Sequence, residues 1–99
     1  MDYIYVLKLN PDYYDEDVWT DEVNQIIDVH FQRLKSDYEK GKVIHVGRTE
    51  NPKDEGFGLV IYHADDDQDA KDYMENDPAI IVGLMTGTYQ RYKVVFNHG

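Results

Sequence analysis

Residues 20–41 read TDEVNQIIDVHFQRLKSDYEKG, and this stretch decides the fold. At about 100° per residue, Val23, Ile26, Ile27, His30, Leu34 and Tyr38 fall on one side of a helix, opposite Asp28, Gln32, Lys35 and Glu39. Thr20 is placed to cap the first turn, and Asp21 and Glu22 set anions at the positive end of the helix dipole. Gly41 suits the left-handed residue that closes a helix, so the element is expected to run to Lys40 with His30 turned inward. A titratable ring among aliphatic neighbours is either a core residue with a satisfied hydrogen bond or a proton carrier at a cavity wall.

Outward from this helix the chain reads as alternating strands and one more helix. Tyr3 to Leu9 is rich in aromatic and β-branched residues and stops at Asn10-Pro11, which predicts a first strand. The acidic, aromatic connection PDYYDEDVW follows. Val43 to Thr49 and Phe57 to His63 are expected to form an antiparallel hairpin around the turn-rich ENPKDEG. Asp65 or Asp66 caps a second helix through about Asn76, with Ala70, Tyr73 and Met74 on one face, and Asp77-Pro78 ends it. After the apolar segment AIIVGLM, Gly87 introduces a last strand from Thr88 to Phe96. The order β-α-β-β-α-β is the ferredoxin-like arrangement, α+β, with a four-stranded antiparallel sheet and both helices on one face.

Tyr3, Tyr5 and Leu7 alternate with Ile4 and Val6, while Phe57, Leu59 and Ile61 alternate with Val60 and Tyr62, so both faces of the sheet carry apolar side chains. Two helices cover only one face. The expectation is a homodimer in which two copies pack through the open sheet face.

The totals narrow the functional classes. At 99 residues the chain has room for one domain, 1–99, and one core. A formal charge of -10 and a pI near 4.5 argue against nucleic-acid and membrane-surface partners. The absence of cysteine removes disulfides, thiolate nucleophiles and cluster ligation. MDYIYVLKL has no basic leader and too short an apolar run for a signal peptide or a membrane span, so a cytoplasmic protein is the expectation. No nucleotide loop, CxxC, nucleophile-elbow serine or H-E-x-x-H pattern occurs.

The candidate chemistry centres on His30, because imidazole exchanges protons near neutral pH. Asp77 is its candidate partner, since a carboxylate beside an imidazole fixes the tautomer and stabilises the imidazolium. The bland readings are a core histidine and a turn-forming Asp-Pro. His45 and His63 fall on neighbouring strands, but two imidazoles are too few for a metal site and none is expected. DDDQDAKDYMEN has Ala70 where a calcium loop needs glycine and Asn76 where it needs glutamate, so it reads as a helix cap and a solvated face. Arg48, with Arg33, Arg91 and Lys8, is a candidate holder for an anionic substrate. The nine tyrosines read mainly as core or interface, with one or two available to line a pocket.

The strand YIYVLKL, the helix and strand HFQRLKSDYEKGKVIHVG, the strand GLVIYHA and the stretch AKDYMENDPAIIVGL together resemble the YCII-related domain family. The helix histidine, Gly41, Gly47, Asp77-Pro78 and Gly83 fit its pattern. The resemblance implies a ferredoxin-like fold paired as a dimeric α-β barrel, and it carries the family's catalytic pair onto His30 and Asp77. The activity implied is cofactor-independent elimination, dehydrochlorinase-like, or isomerisation, acting on a small organic acid or cyclic metabolite. A non-catalytic dimeric metabolite-binding or structural module is the alternative. The chain departs from the family at Gly47-Arg48, where Gly-Pro is usual, and in lacking a proline near the end of the last strand.

Overall fold

The computed structural model describes residues 1–98. Strand β1 (Asp2–Leu9) leads through two single-turn 3-10 helices (Pro11–Tyr13 and Glu16–Val18) into helix α1 (Asp21–Glu39). Strands β2 (Val43–Arg48) and β3 (Gly58–His63), helix α2 (Asp67–Glu75), the one-turn helix α3 (Pro78–Ile81) and strand β4 (Met85–Arg91) follow. The sheet has the order β2-β3-β1-β4 and every neighbouring pair is antiparallel, as expected from the element order. Among the described residues no helix is long and apolar enough to cross a membrane.

The ends of α1 are set by the residues that the sequence offers for them. Thr20 Oγ1 accepts from the Val23 amide at 3.3 Å. At the other end Gly41 takes φ +86°, and the Gly41 and Lys42 amides donate to the Tyr38 and Asp37 carbonyls. Paired capping bonds of this kind need a residue tolerant of left-handed geometry, which glycine supplies.

Of the expected apolar stripe, only His30 and Leu34 are buried, whereas Val23, Ile26 and Ile27 are half-buried and Tyr38 is 57% exposed. Steps of four residues advance about 40° round a helix, so Tyr38 sits about 80° away from His30 and leaves the sheet-facing side.

Helix α2 starts at Asp66, whose Oδ1 accepts from the Asp69 amide at 2.8 Å. The last strand differs from the expected Thr88–Phe96. It begins at Met85, because the positive φ of Gly83 (+77°) turns the chain and the Asn10 amide already bonds the Leu84 carbonyl. It ends at Arg91, because its partner β1 begins at Asp2, whose carbonyl takes the last bond from the Tyr92 amide at 3.0 Å. Val95 and Phe96 therefore lie outside the sheet and are exposed.

The core lies between the sheet and the helices and is built on tyrosine. Tyr3, Tyr5, Tyr62 and Tyr73 form a cluster of rings whose neighbouring centroids are 4.9–6.2 Å apart. Each hydroxyl has a partner: Tyr3 donates to Asp67, Tyr5 to Asp77, Tyr62 to the Ala70 carbonyl and Tyr73 to Asp37. Burying a phenol costs little when its hydroxyl is satisfied, and the ring then contributes its full apolar area. On the opposite face Ile4 pairs with Ile61 and Val6 with Leu59, so an apolar stripe runs down the middle of the open side.

Leu34, 2% exposed, packs into this core. Leu34→Ala is expected to lower unfolding free energy by about 2–5 kcal/mol in urea titrations, while Tyr38→Ala stays within about 0.5 kcal/mol.

Candidate functional site

The side chains of His30 and Asp77, 47 residues apart in sequence, meet at 2.7 Å between imidazole Nδ1 and carboxylate Oδ1. His30 comes from the middle of α1, and Asp77 caps α3 with an extended backbone (φ -63°, ψ 125°), the geometry that a following proline favours. Asp77 is fully buried and His30 is 3% exposed. The carboxylate accepts two further bonds, from the Ala79 amide at 2.9 Å on Oδ1 and from the Tyr5 hydroxyl at 2.8 Å on Oδ2.

These contacts assign the protons. Burial alone raises the Asp77 carboxyl, but the bonds from His30, Tyr5 and Ala79 and the attraction of the imidazole hold it below the ordinary carboxylate value. Burial, together with the charge of Asp77, drives the Tyr5 hydroxyl far above its ordinary value, so Tyr5 stays a donor. An ionised carboxylate only accepts hydrogen bonds, so His30 Nδ1 donates to Asp77.

His30 lines a cavity of ≈ 280 Å³, and Asp77 lies behind it, outside the lining. Leu7 and Leu9 of β1, Ile27 and Phe31 of α1, and Phe57 and Val60 from the β3 side give apolar walls. Arg48, Lys53, Thr49 and Asn51 bring polar groups from the end of β2 and the hairpin loop, and Trp19 closes one side from the segment before α1.

The structure thus brings Arg48 to the same cavity as His30. It takes the other candidate cations elsewhere: Arg33 donates to the Tyr73 carbonyl at 2.7 Å, Arg91 bonds Asp67 at 3.0 Å, and Lys8 is exposed on β1. His63 bonds Asp2, and His45 pairs in register with Ile61. Among the described residues no three His, Asp or Glu side chains come together as a metal site would require.

The sequence model of the YCII-related domain matches residues 1–95. The chain belongs to the YCII-related domain family. Among solved structures, it is similar to 5-chloro-2-hydroxyhydroquinone dehydrochlorinase from Burkholderia phenoliruptrix AC1100, in complex with 2,5-dihydroxybenzoquinone. The identity is 21%, 94% of each chain is covered and the TM-score is 0.62, a likeness of fold. No curated protein sequence matches.

In this YCII domain the cavity also contains residues that sequence reading did not single out. Trp19 and Lys53 sit in connections whose composition signals only turns, and Lys53 Nζ lies 4.7 Å from the Trp19 ring centroid. The one available signal was that Trp19 is the sole tryptophan, placed immediately before the cap of α1.

Because the folded state holds Asp77 below its unfolded value, this group contributes stability that is present above the ordinary carboxylate range and is lost as pH falls through the depressed value. Asp77→Asn is expected to flatten this acid limb in denaturation curves collected from neutral pH downward. Tyr5→Phe, which removes the donor to Oδ2, is expected to cost about 1–3 kcal/mol at neutral pH.

Proposed function

We propose that this YCII domain is a cofactor-independent enzyme that moves a proton on a small cyclic or aromatic compound, giving elimination or isomerisation. His30 is the general base and acid, Asp77 fixes its tautomer, and Arg48 holds an anionic group of the substrate. The observation that carries this reading is the 2.7 Å His30–Asp77 contact at the wall of the cavity. It is supported by a carboxylate held ionised behind the ring. The solved YCII-like structure bound to 2,5-dihydroxybenzoquinone supports a ligand of one ring.

In this scheme Nε2 takes a proton from a carbon or hydroxyl of the bound ring, and the imidazolium formed is stabilised by Asp77. For isomerisation His30 returns the proton to a different atom. For elimination the electron pair released expels a leaving group as its anion, and the ring later gives the proton to water. General acid-base catalysis supplies about a hundredfold to ten-thousandfold, so the cavity must provide orientation and charge stabilisation for the remainder.

The competing reading, a non-catalytic dimeric metabolite-binding or structural module, draws on the same carboxylate, because Asp77 also caps α3 and anchors Tyr5. The two separate on exchange of ring hydrogens in 2,5-dihydroxybenzoquinone with deuterated water, followed by proton NMR. The enzyme reading expects accelerated exchange with the wild type and a loss of about 10²–10⁴ in His30→Gln at unchanged fold. Equal rates for the two proteins would overturn it.

We also propose that two copies pair through the open sheet face, where Ile4, Val6, Leu59 and Ile61 form the apolar stripe. Sedimentation at micromolar concentration is expected to show a species of twice the 11.6 kDa chain mass, and Val6→Lys to return it to 11.6 kDa. A wild type sedimenting at the single-chain mass would rule the pairing out.

A further inference from the structure

The charge of the cavity is opposite to that of the chain around it. Twenty Asp and Glu against ten Lys and Arg give a formal charge of -10, yet the residues lining the cavity include Arg48 and Lys53 and no carboxylate. Neither cation takes part in an ion pair among the described residues, where Lys71 pairs with Glu75, Arg91 with Asp67, and His30 and His63 with Asp77 and Asp2. Arg48 and Lys53, both exposed and without carboxylate partners, give this apolar-walled recess a local positive charge in an otherwise anion-repelling surface.

Lys53 is also held in place. Its ammonium lies 4.7 Å from the centroid of the Trp19 ring, and that indole is fixed by donation from Nε1 to the Tyr13 carbonyl at 2.8 Å. The turn that carries Lys53 is closed by the Glu55 and Gly56 amides, both 2.9 Å from the Pro52 carbonyl. At its base Thr49 Oγ1 accepts from the Phe57 amide at 3.0 Å, and the Thr49 amide donates to the Phe57 carbonyl at 2.9 Å. The ordered turn sets where the Lys53 backbone lies, and the contact with Trp19 is what directs its exposed side chain.

We propose that Lys53, held over Trp19 and acting with Arg48, makes the cavity selective for a small monocyclic anion, a ring bearing one carboxylate or equivalent ionised oxygen. Lys53 is the residue that sets the selectivity. The cavity, ≈ 280 Å³, readily holds a substituted single ring, with Phe31 and Phe57 among its walls. The inference rests on the reading of this cavity as the reaction site, but its content is charge selection, and binding alone tests it.

Trp19, the sole tryptophan, reports occupancy of the cavity through its fluorescence. The full chain is titrated with benzoate and with benzamide, which has nearly the same shape and no charge, and calorimetry gives the same affinities without relying on the indole. Benzoate is expected to bind about tenfold or more tighter than benzamide, the scale of one charge-assisted hydrogen bond. Lys53→Gln is expected to remove most of that preference, leave benzamide affinity unchanged and leave the melting temperature unaltered. Lys53→Arg retains the preference, and Arg48→Gln reduces it in part. Equal affinities for the two probes in the wild type, no saturable benzoate binding, or a Lys53→Gln protein that discriminates as well as the wild type would each overturn the proposal. If discrimination is found and His30-dependent exchange is not, the catalytic reading fails and the anion site stands; the reverse pair of results separates them the other way.

Discussion

A buried carboxylate must be neutralised or fully bonded, and Asp77 is fully bonded. Its partners are the Tyr5 hydroxyl from the central strand β1, the His30 ring from α1 and the Ala79 amide from α3. One side chain therefore ties the sheet, the long helix and the short helix together at a single point. Loss of any donor leaves charge in a dry place, which is why the three elements are held in one arrangement and why α3, only four residues long, has a fixed start.

The same constraint prepares the proposed chemistry. A carboxylate kept ionised by its bonds accepts from Nδ1 of His30 and so fixes the orientation of a ring that lines the cavity. Tyr5 completes this because its raised hydroxyl cannot give up the proton that it donates. The structural role of Asp77 is compatible with the chemical role proposed for it: the bonds that hold α3 and β1 are those that keep the carboxylate charged behind the ring.

Charge is divided in a parallel way. The chain is strongly acidic, and its carboxylates serve as helix caps, as acceptors for tyrosine hydroxyls and as solvated surface. The cavity is the exception, lined by two cations and no acid. Under the proposed anion selection, long-range repulsion of anions by the surface would coexist with a short-range attraction at Arg48 and Lys53.

The order of the four strands and two long helices, the caps of α1 and α2 and the inward position of His30 were legible in the sequence, because each depends on local pattern, whereas the one-turn helix α3 was read only as an apolar segment. The limits of β4 were not legible, since a strand extends only as far as its partner, and β1 begins at Asp2. Of the site, sequence nominated His30, Asp77 and Arg48, by residue type, position and family pattern. Their meeting was decided by the packing of α1 against α3 and by the hairpin register that brings Arg48 opposite Gly58. Trp19 and Lys53 were decided by tertiary structure alone, because each comes from a turn with no periodicity, and only the folding of two distant connections onto one cavity gives them a shared surface.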